Sequence, residues 1–403
     1  MMRVLVADKL APLVPGRLQD LGVAVTVDAG ASGDALAKKI AELDPHVLVV
    51  RSTQVMAEHV RAGRVLALIV RAGAGVNTID VAAASARGIY VANCPGKNAC
   101  AVAELTIGHL VNLDRRIADN VAALREGRWD KKSFGNARGL NGRTLAVLGT
   151  GQIGREVIKR AQALGMRVVA WSRSLTDEQA ELLGVERAAT PERAVEHADA
   201  VTVHLALTKE TRGRIGEGVF AAMKSGAYFV NTSRGEVVDH EALARALDGK
   251  QLRAGLDVFG QEPSGAAGAF EDPIGKHPSV YGTHHIGAST AEAEEAVGEE
   301  VVRIVDAYKS GRVIPNCVNL ADQSEATHVL VVRHADRVGV LASVLDALRE
   351  AGHNVQGMGN IVFSGGDAAC ARIEIAGEPT AATLGKIASH EAVFDATVSP
   401  MRP

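Results

Sequence analysis

TLAVLGTGQIGREVIKRAQALGMRVVAW, residues 144–171, decides the fold. It opens on a continuous apolar run, the pattern of a strand buried on both faces. A glycine turn follows, Gly149-Thr150-Gly151-Gln152-Ile153-Gly154, then a helical pattern over residues 154–164 and a second strand, MRVVAW. Strand, glycine turn, helix and strand in that order form the context in which such a turn binds a dinucleotide. Gly149 permits the tight turn, Gly151 lets the backbone approach a pyrophosphate, and Gly154 lets the helix pack on the sheet. The helix start offers free N–H groups and partial positive charge to the anion. Gln152 and Ile153 lie in the same turn and join the cofactor candidates. The second strand runs into Ser172-Arg173 and not into the acid that would hold a ribose 2′-OH. An arginine there suits the 2′-phosphate of NADP, so these residues leave NAD and NADP both open.

Outward from this unit the alternation continues in both directions. Upstream, RVLVAD, HVLVV, LALIV and IYVAN read as strands, with helices near 32–42, 56–62 and 80–87 and a long helical stretch over 98–126. Residues 136–142, rich in Gly and Asn, read as a linker. Downstream, AVTVHL, AYFVNT, LRAGLDVF and SVYGT are further strands, and 290–310 is one amphipathic helix. Such alternation predicts parallel α/β units. After Pro315 the pattern restarts as strand 327–333, helix 339–350, strands 355–363 and 368–375, helix 381–389 and strand 393–398. That βαββαβ order is the split βαβ arrangement of a separate domain.

The bulk properties bound the function. A chain of 403 residues divides into two or three domains. An apolar content of 47% supports large cores, and a net charge of −3 without a basic stripe excludes nucleic acid as the expected partner. The opening MMRVLVADKL reads as a strand, not a signal peptide, and no apolar stretch approaches the roughly 18 residues of a membrane span. Cys94, Cys100, Cys317 and Cys370 are scattered, which fits a reducing, cytoplasmic setting. No His/Cys/Asp grouping has metal spacing, so no metal is expected.

Three residues at successive strand ends carry chemistry. Arg234, in NTSRG after AYFVNT, has the forked donor set that grips a carboxylate. Glu262 follows LRAGLDVF, and His285 follows SVYGT at the head of HIGAST. A carboxylate on one ring nitrogen fixes the tautomer of an imidazole and leaves the other nitrogen to exchange a proton with substrate. Together with a dinucleotide, this set moves a hydride to or from a 2-hydroxy acid. His204, in AVTVHL, reads as a hydrogen-bonded core residue.

These residues, with Arg71-Ala72-Gly73-Ala74-Gly75-Val76, Asn93-Cys94-Pro95-Gly96 through Asn98 to Ala103-Glu104, and the DVF-QEP run, resemble the D-isomer-specific 2-hydroxyacid dehydrogenases. Within that family the resemblance points to the branch that oxidises 3-phospho-D-glycerate to 3-phosphohydroxypyruvate for serine biosynthesis. It implies Arg234, Glu262 and His285 as catalytic residues and NAD(H) as cofactor, with Thr232 and Asp257 among the cofactor contacts. It also implies a Rossmann-type doubly wound cofactor domain over 97–289. A flavodoxin-like substrate domain follows from 1–96 plus 290–318, and an ACT-like domain from 325–403. The substrate contacts it implies are Arg51, Ser52, Arg71, Ala74, Gly75, Asn98 and Lys131. His284 stands where the family has Pro, and Asn77 where Asp often follows the RAG-GV run. By position His334, Asp336 and Asn354 match serine-binding residues of the ACT-like module, Asp336 replacing an Asn. The module then binds serine or only dimerises, and the subunit count is two or four. Two rival readings are an NADPH-dependent hydroxypyruvate or glyoxylate reductase, and a catalytically silent protein that senses a dinucleotide or serine.

Overall fold

A computed structural model describes residues 1–263, 268–321 and 323–401. Residues 264–267 of the expected cofactor domain and the last two of the expected C-terminal domain lie outside the described set. The chain divides into two compact units, 1–319 and 320–403.

The first unit holds two parallel sheets. The first contains β1 (Arg3–Val6), β2 (Ala24–Val27), β3 (Val47–Val50), β4 (Leu68–Arg71) and β5 (Tyr90–Asn93) in the order β2-β1-β3-β4-β5. That is the flavodoxin-like order. The second contains β6 (Thr144–Leu148), β7 (Arg167–Trp171), β8 (Glu186–Arg187), β9 (Ala200–Val203), β10 (Tyr228–Asn231), β11 (Arg253–Leu256) and β12 (Val280–Gly282). Its order, β12-β11-β10-β9-β6-β7-β8, is the dinucleotide-binding arrangement with one strand added, and it reverses direction between β6 and β9. Every residue of β3, β6, β9 and β10 is buried, which is why these strands read as unbroken apolar runs. The helix Ala291–Lys309 belongs in space to the first sheet, where Val301, Ile304 and Val305 join the core of β1, β3 and β4.

Two upstream elements were illegible. The helix Leu13–Asp20 carries Pro15 and Gly16, which break the helical signal. Proline is tolerated there because first-turn N–H groups lack intrahelical partners anyway. The short strand β2 sits at a sheet edge, half-buried along most of its length. The single helical stretch expected over 98–126 is two helices, Ala99–Arg115 and Ile117–Arg125, broken where Arg116 adopts a left-handed backbone (φ 52°). No glycine or proline marks the break. Side chains make it: Asn112 accepts from the Ala118 N–H at 3.0 Å, and Arg116 Nε pairs with Asp119 at 2.9 Å.

The second unit is one antiparallel sheet of β13 (His328–Ala335), β14 (Val355–Val362), β15 (Ala368–Ile375) and β16 (Val393–Pro400), ordered β14-β15-β13-β16. Helices Val340–Glu350 and Ala381–Ala388 contribute Val344, Leu348 and Ile387 to its core, so the βαββαβ order is realised.

Candidate active site

Because all seven strands of the second sheet are parallel, their carboxyl ends share one edge, and every cofactor or catalytic candidate of this sheet lies there. At the end of β6 the three glycines have separate reasons. Gly149 has φ 108°, and a Cβ on it would stand 2.5 Å from the His204 carbonyl oxygen. A Cβ on Gly154 would stand 2.0 Å from the Gly149 carbonyl, so only glycine lets the helix sit this close. Around Gly151, by contrast, there is open space. The helix Gln152–Ala163 begins on Gly151 with no side chain capping its N–H groups. An open glycine beneath uncapped N–H groups is a cradle that fits a pyrophosphate. Gln152 reaches out of the turn to Gly96, where a Cβ would stand 1.3 Å from its Oε1. Past β7, Ser172 is half-buried and Arg173 exposed, and the Arg214 guanidinium stacks 5.8 Å from the Trp171 ring. Thr232 is buried, its hydroxyl 2.9 Å from that of Thr106.

The catalytic candidates converge. His285 Nδ1 lies 2.7 Å from Glu262 Oε2, while Glu262 Oε1 accepts the Phe259 N–H at 2.9 Å. Burial pushes the Glu262 carboxyl up, but the hydrogen bonds from His285 and Phe259 and the charge of Arg234 outweigh it and hold it below the usual range. Glu262 is therefore an anion at neutral pH. His285 Nε2 has no hydrogen-bond partner among the described residues, and the side chain is about half exposed (49%). His285 itself has a left-handed backbone (φ 53°), uncommon for a residue with a side chain.

Asp257 holds that conformation. Its main-chain oxygen accepts the His285 N–H at 2.9 Å. Its carboxylate accepts from Thr283 Oγ1 (2.7 Å) and from the N–H groups of Ile286 and Gly287 (both 2.9 Å). Asp257, expected as a cofactor contact, is 1% exposed, and its carboxylate also clamps the histidine loop. Arg234 is fixed likewise: Asn231 donates to its carbonyl at 2.9 Å and accepts from Ser233.

The first sheet brings a cationic wall. A Cβ on Gly75 would stand 3.1 Å from Arg234 Nη2, so the loop after β4 faces the arginine. The Arg71 guanidinium covers Gly73, and its Nε is buried without a partner among the described residues, as is Asn98 Oδ1. Burial first, and then the cations Arg234 and Arg51, hold Arg71 below the usual arginine range. The Ala74 carbonyl accepts from Asn93 at 2.6 Å. Asp8, just past β1, accepts the N–H groups of Arg51, Ser52 and Thr53 at 2.6, 3.1 and 3.0 Å and so shapes the loop after β3. Arg51 pairs with Glu294 at 2.8 Å. Sequence reading passed over both acids, although Asp8 stood at a strand end where ligands gather. Lys131 lines a separate hollow with Asn120, Arg128, Trp129 and Phe134.

A family model, D-isomer specific 2-hydroxyacid dehydrogenase, NAD binding domain, matches residues 107–315, which is more than half of the chain. The chain belongs to that family. D-3-phosphoglycerate dehydrogenase of Methanocaldococcus jannaschii is 39% identical over 322 residues, a match covering 79% of this chain and 60% of that protein. The chain thus spans about 60% of the length of this relative. Among solved structures, the TT0316 protein of Thermus thermophilus has 34% identity and a TM-score of 0.69, covering 79% of this chain and all of that one. The NAD+-bound 3-phosphoglycerate dehydrogenase of Entamoeba histolytica has 25% identity and a TM-score of 0.65, covering 79% of this chain and 99% of that one. Membership accounts for the NAD-binding sheet over which the trio lies.

In the second unit the three effector candidates are not joined by hydrogen bonds. His334 is buried, with Nδ1 2.8 Å from the Ala335 carbonyl and Nε2 3.2 Å from Asn360 Oδ1, whereas Asp336 and Asn354 are exposed.

Proposed function

We propose that the protein oxidises 3-phospho-D-glycerate to 3-phosphohydroxypyruvate, with Arg234, Glu262 and His285 as its catalytic residues. The observation that carries this reading is the imidazole of His285, held on Glu262 at 2.7 Å with its other nitrogen unpartnered among the described residues, and Arg234 near enough for its charge to act on Glu262. Arg234 receives the substrate carboxylate through paired hydrogen bonds. Neutral His285 takes the hydroxyl proton at Nε2 as hydride leaves the carbinol carbon, and the Glu262 carboxylate stabilises the imidazolium that forms. In reduction the same nitrogen returns the proton. The cradle at Gly149–Gly154 would hold a nicotinamide dinucleotide, which supplies the hydride acceptor. Arg51 and Arg71 provide the cations for the phosphate, with Ser52, Ala74, Gly75 and Asn98 completing the substrate contacts. The catalytic contribution of the trio is proton transfer and positioning, the former about a hundred- to ten-thousand-fold.

The protein acts in the cytoplasm as a homodimer or homotetramer, with serine as the candidate effector of its second unit. Exposed apolar groups support association: Leu124 and Trp129 in the first unit, and Met358, Ile361 and Phe363 on or just past the edge strand β14 in the second. Among the described residues no helix is long and apolar enough to cross a membrane. The test is turnover of 3-phospho-D-glycerate and of D-glycerate with NAD and with NADP, with and without serine. Preference for the phosphorylated acid is expected. Preference for glyoxylate or hydroxypyruvate with NADPH would favour the reductase reading, to which Arg173 and the cation over Trp171 lend an observation.

A further inference from the structure

Glu294 lies in the first turn of the helix Ala291–Lys309, which the Thr290 side chain caps by accepting the Ala293 N–H at 3.1 Å. That helix follows directly on the loop carrying His285. Glu294 Oε1 reaches Arg51 Nη1 at 2.8 Å, an ion pair whose side chains are 29% and 40% exposed. The pair is not required to shape the loop after β3, because Asp8 already binds three successive N–H groups there. An ion pair this exposed contributes little to stability, so an anion that pairs with Arg51 in its place has little to overcome. Its consequence is electrostatic. Arg71 lies close enough to Arg51 and Arg234 to feel the charge of both, and Glu294 pairs with Arg51, whose side chain is 29% exposed.

We infer that Glu294 is a specificity-determining residue that lowers the preference of this site for a phosphorylated over an unphosphorylated 2-hydroxy acid. This rests on the reading of Arg51 as a phosphate contact. A phosphate dianion has to displace the Glu294 carboxylate from Arg51 and then lie beside it, whereas the terminal hydroxyl of an unphosphorylated acid is not repelled and donates to that carboxylate. Glutamine keeps the shape and removes the charge.

The experiment measures kcat and KM for 3-phospho-D-glycerate and D-glycerate at low ionic strength in the wild type, Glu294→Gln, Arg51→Gln and the double variant. Selectivity for the phosphorylated acid should rise roughly tenfold in Glu294→Gln, carried by KM and not kcat, as expected for one like charge removed a few ångströms away. The gain should shrink as salt is added and be smaller in the Arg51→Gln background, where no ion pair has to be broken and only the repulsion is left. Unchanged or falling selectivity, or a gain as large without Arg51 as with it, overturns the inference. Wild-type selectivity below one refutes the functional reading instead, and the change on substitution is still measured against that baseline.

Discussion

Two histidines close to strand ends, one in each unit, mark the difference between a site and a core. His285 comes after β12 with one ring nitrogen on Glu262, the other without a partner among the described residues, and about half its side chain exposed (49%). His334 lies near the end of β13, 1% exposed, with both ring nitrogens engaged by Ala335 and Asn360. In sequence the two look alike. What separates them is whether the fold leaves a nitrogen over, and that depends on partners remote in the chain.

The largest effect expected from this contrast is in Arg234 and His285. Replacing His285 by Ala should lower kcat by about a thousandfold, the middle of the range for a general base, while titration of dinucleotide fluorescence shows binding retained. Arg234→Gln should raise KM for the substrate by roughly ten- to a hundredfold, the loss of a charge-assisted pair of hydrogen bonds. A variant at Arg234 that lowered kcat alone would place the residue against the cofactor and not the carboxylate.

A pH experiment sharpens the contrast between the half-exposed imidazole of the site and those shielded from water elsewhere. Burial pushes His204 down to about 3 and also lowers His46, His109 and His240. An unfolded chain takes up protons on these groups near pH 6.5, whereas the fold does not, so stability is lost as pH falls below that value. For His204 the loss continues down to its folded value, at about 1.4 kcal/mol per pH unit. His204→Gln should therefore flatten the fall of the urea midpoint between pH 6.5 and 4.5. A slope equal to that of the wild type would show that His204 charges in the folded state. The smallest effect belongs to His334→Ala, which should destabilise the second unit by about 1–3 kcal/mol by removing a buried side chain and leaving a cavity in its place. Hydrogen exchange across β13 and β14 reads that loss, and unchanged protection would argue that the buried contact is immaterial.

How much was legible follows from the same physics. The buried strands of the second sheet announced themselves because both faces are covered, and the glycine turn because each glycine answers a steric demand at a known place. Arg234, Glu262 and His285 were legible as strand-end residues of suitable chemistry. The break at Arg116 was hidden because side-chain hydrogen bonds from Asn112 and Asp119 produce it without a breaker residue. The helix Leu13–Asp20 was hidden because its proline sits in the one turn that accepts it. Asp8 and Glu294 were hidden because their partners, Arg51 and its neighbours, are brought to them by the crossover order of the first sheet. Asp257 was legible as a residue of the site, but its clamp on the N–H groups of Ile286 and Gly287 was not, since those partners are remote in the chain.

The central claim is that Nε2 of His285, oriented by Glu262, accepts the substrate proton. The most direct measurement is turnover of His285→Ala with imidazole added to the solution, since the half-exposed position leaves room for a free imidazole to enter. Turnover should be nearly absent without imidazole and should rise with the concentration of its neutral form during alcohol oxidation. Turnover within tenfold of the wild type, or none restored by imidazole while dinucleotide still binds, would contradict the claim.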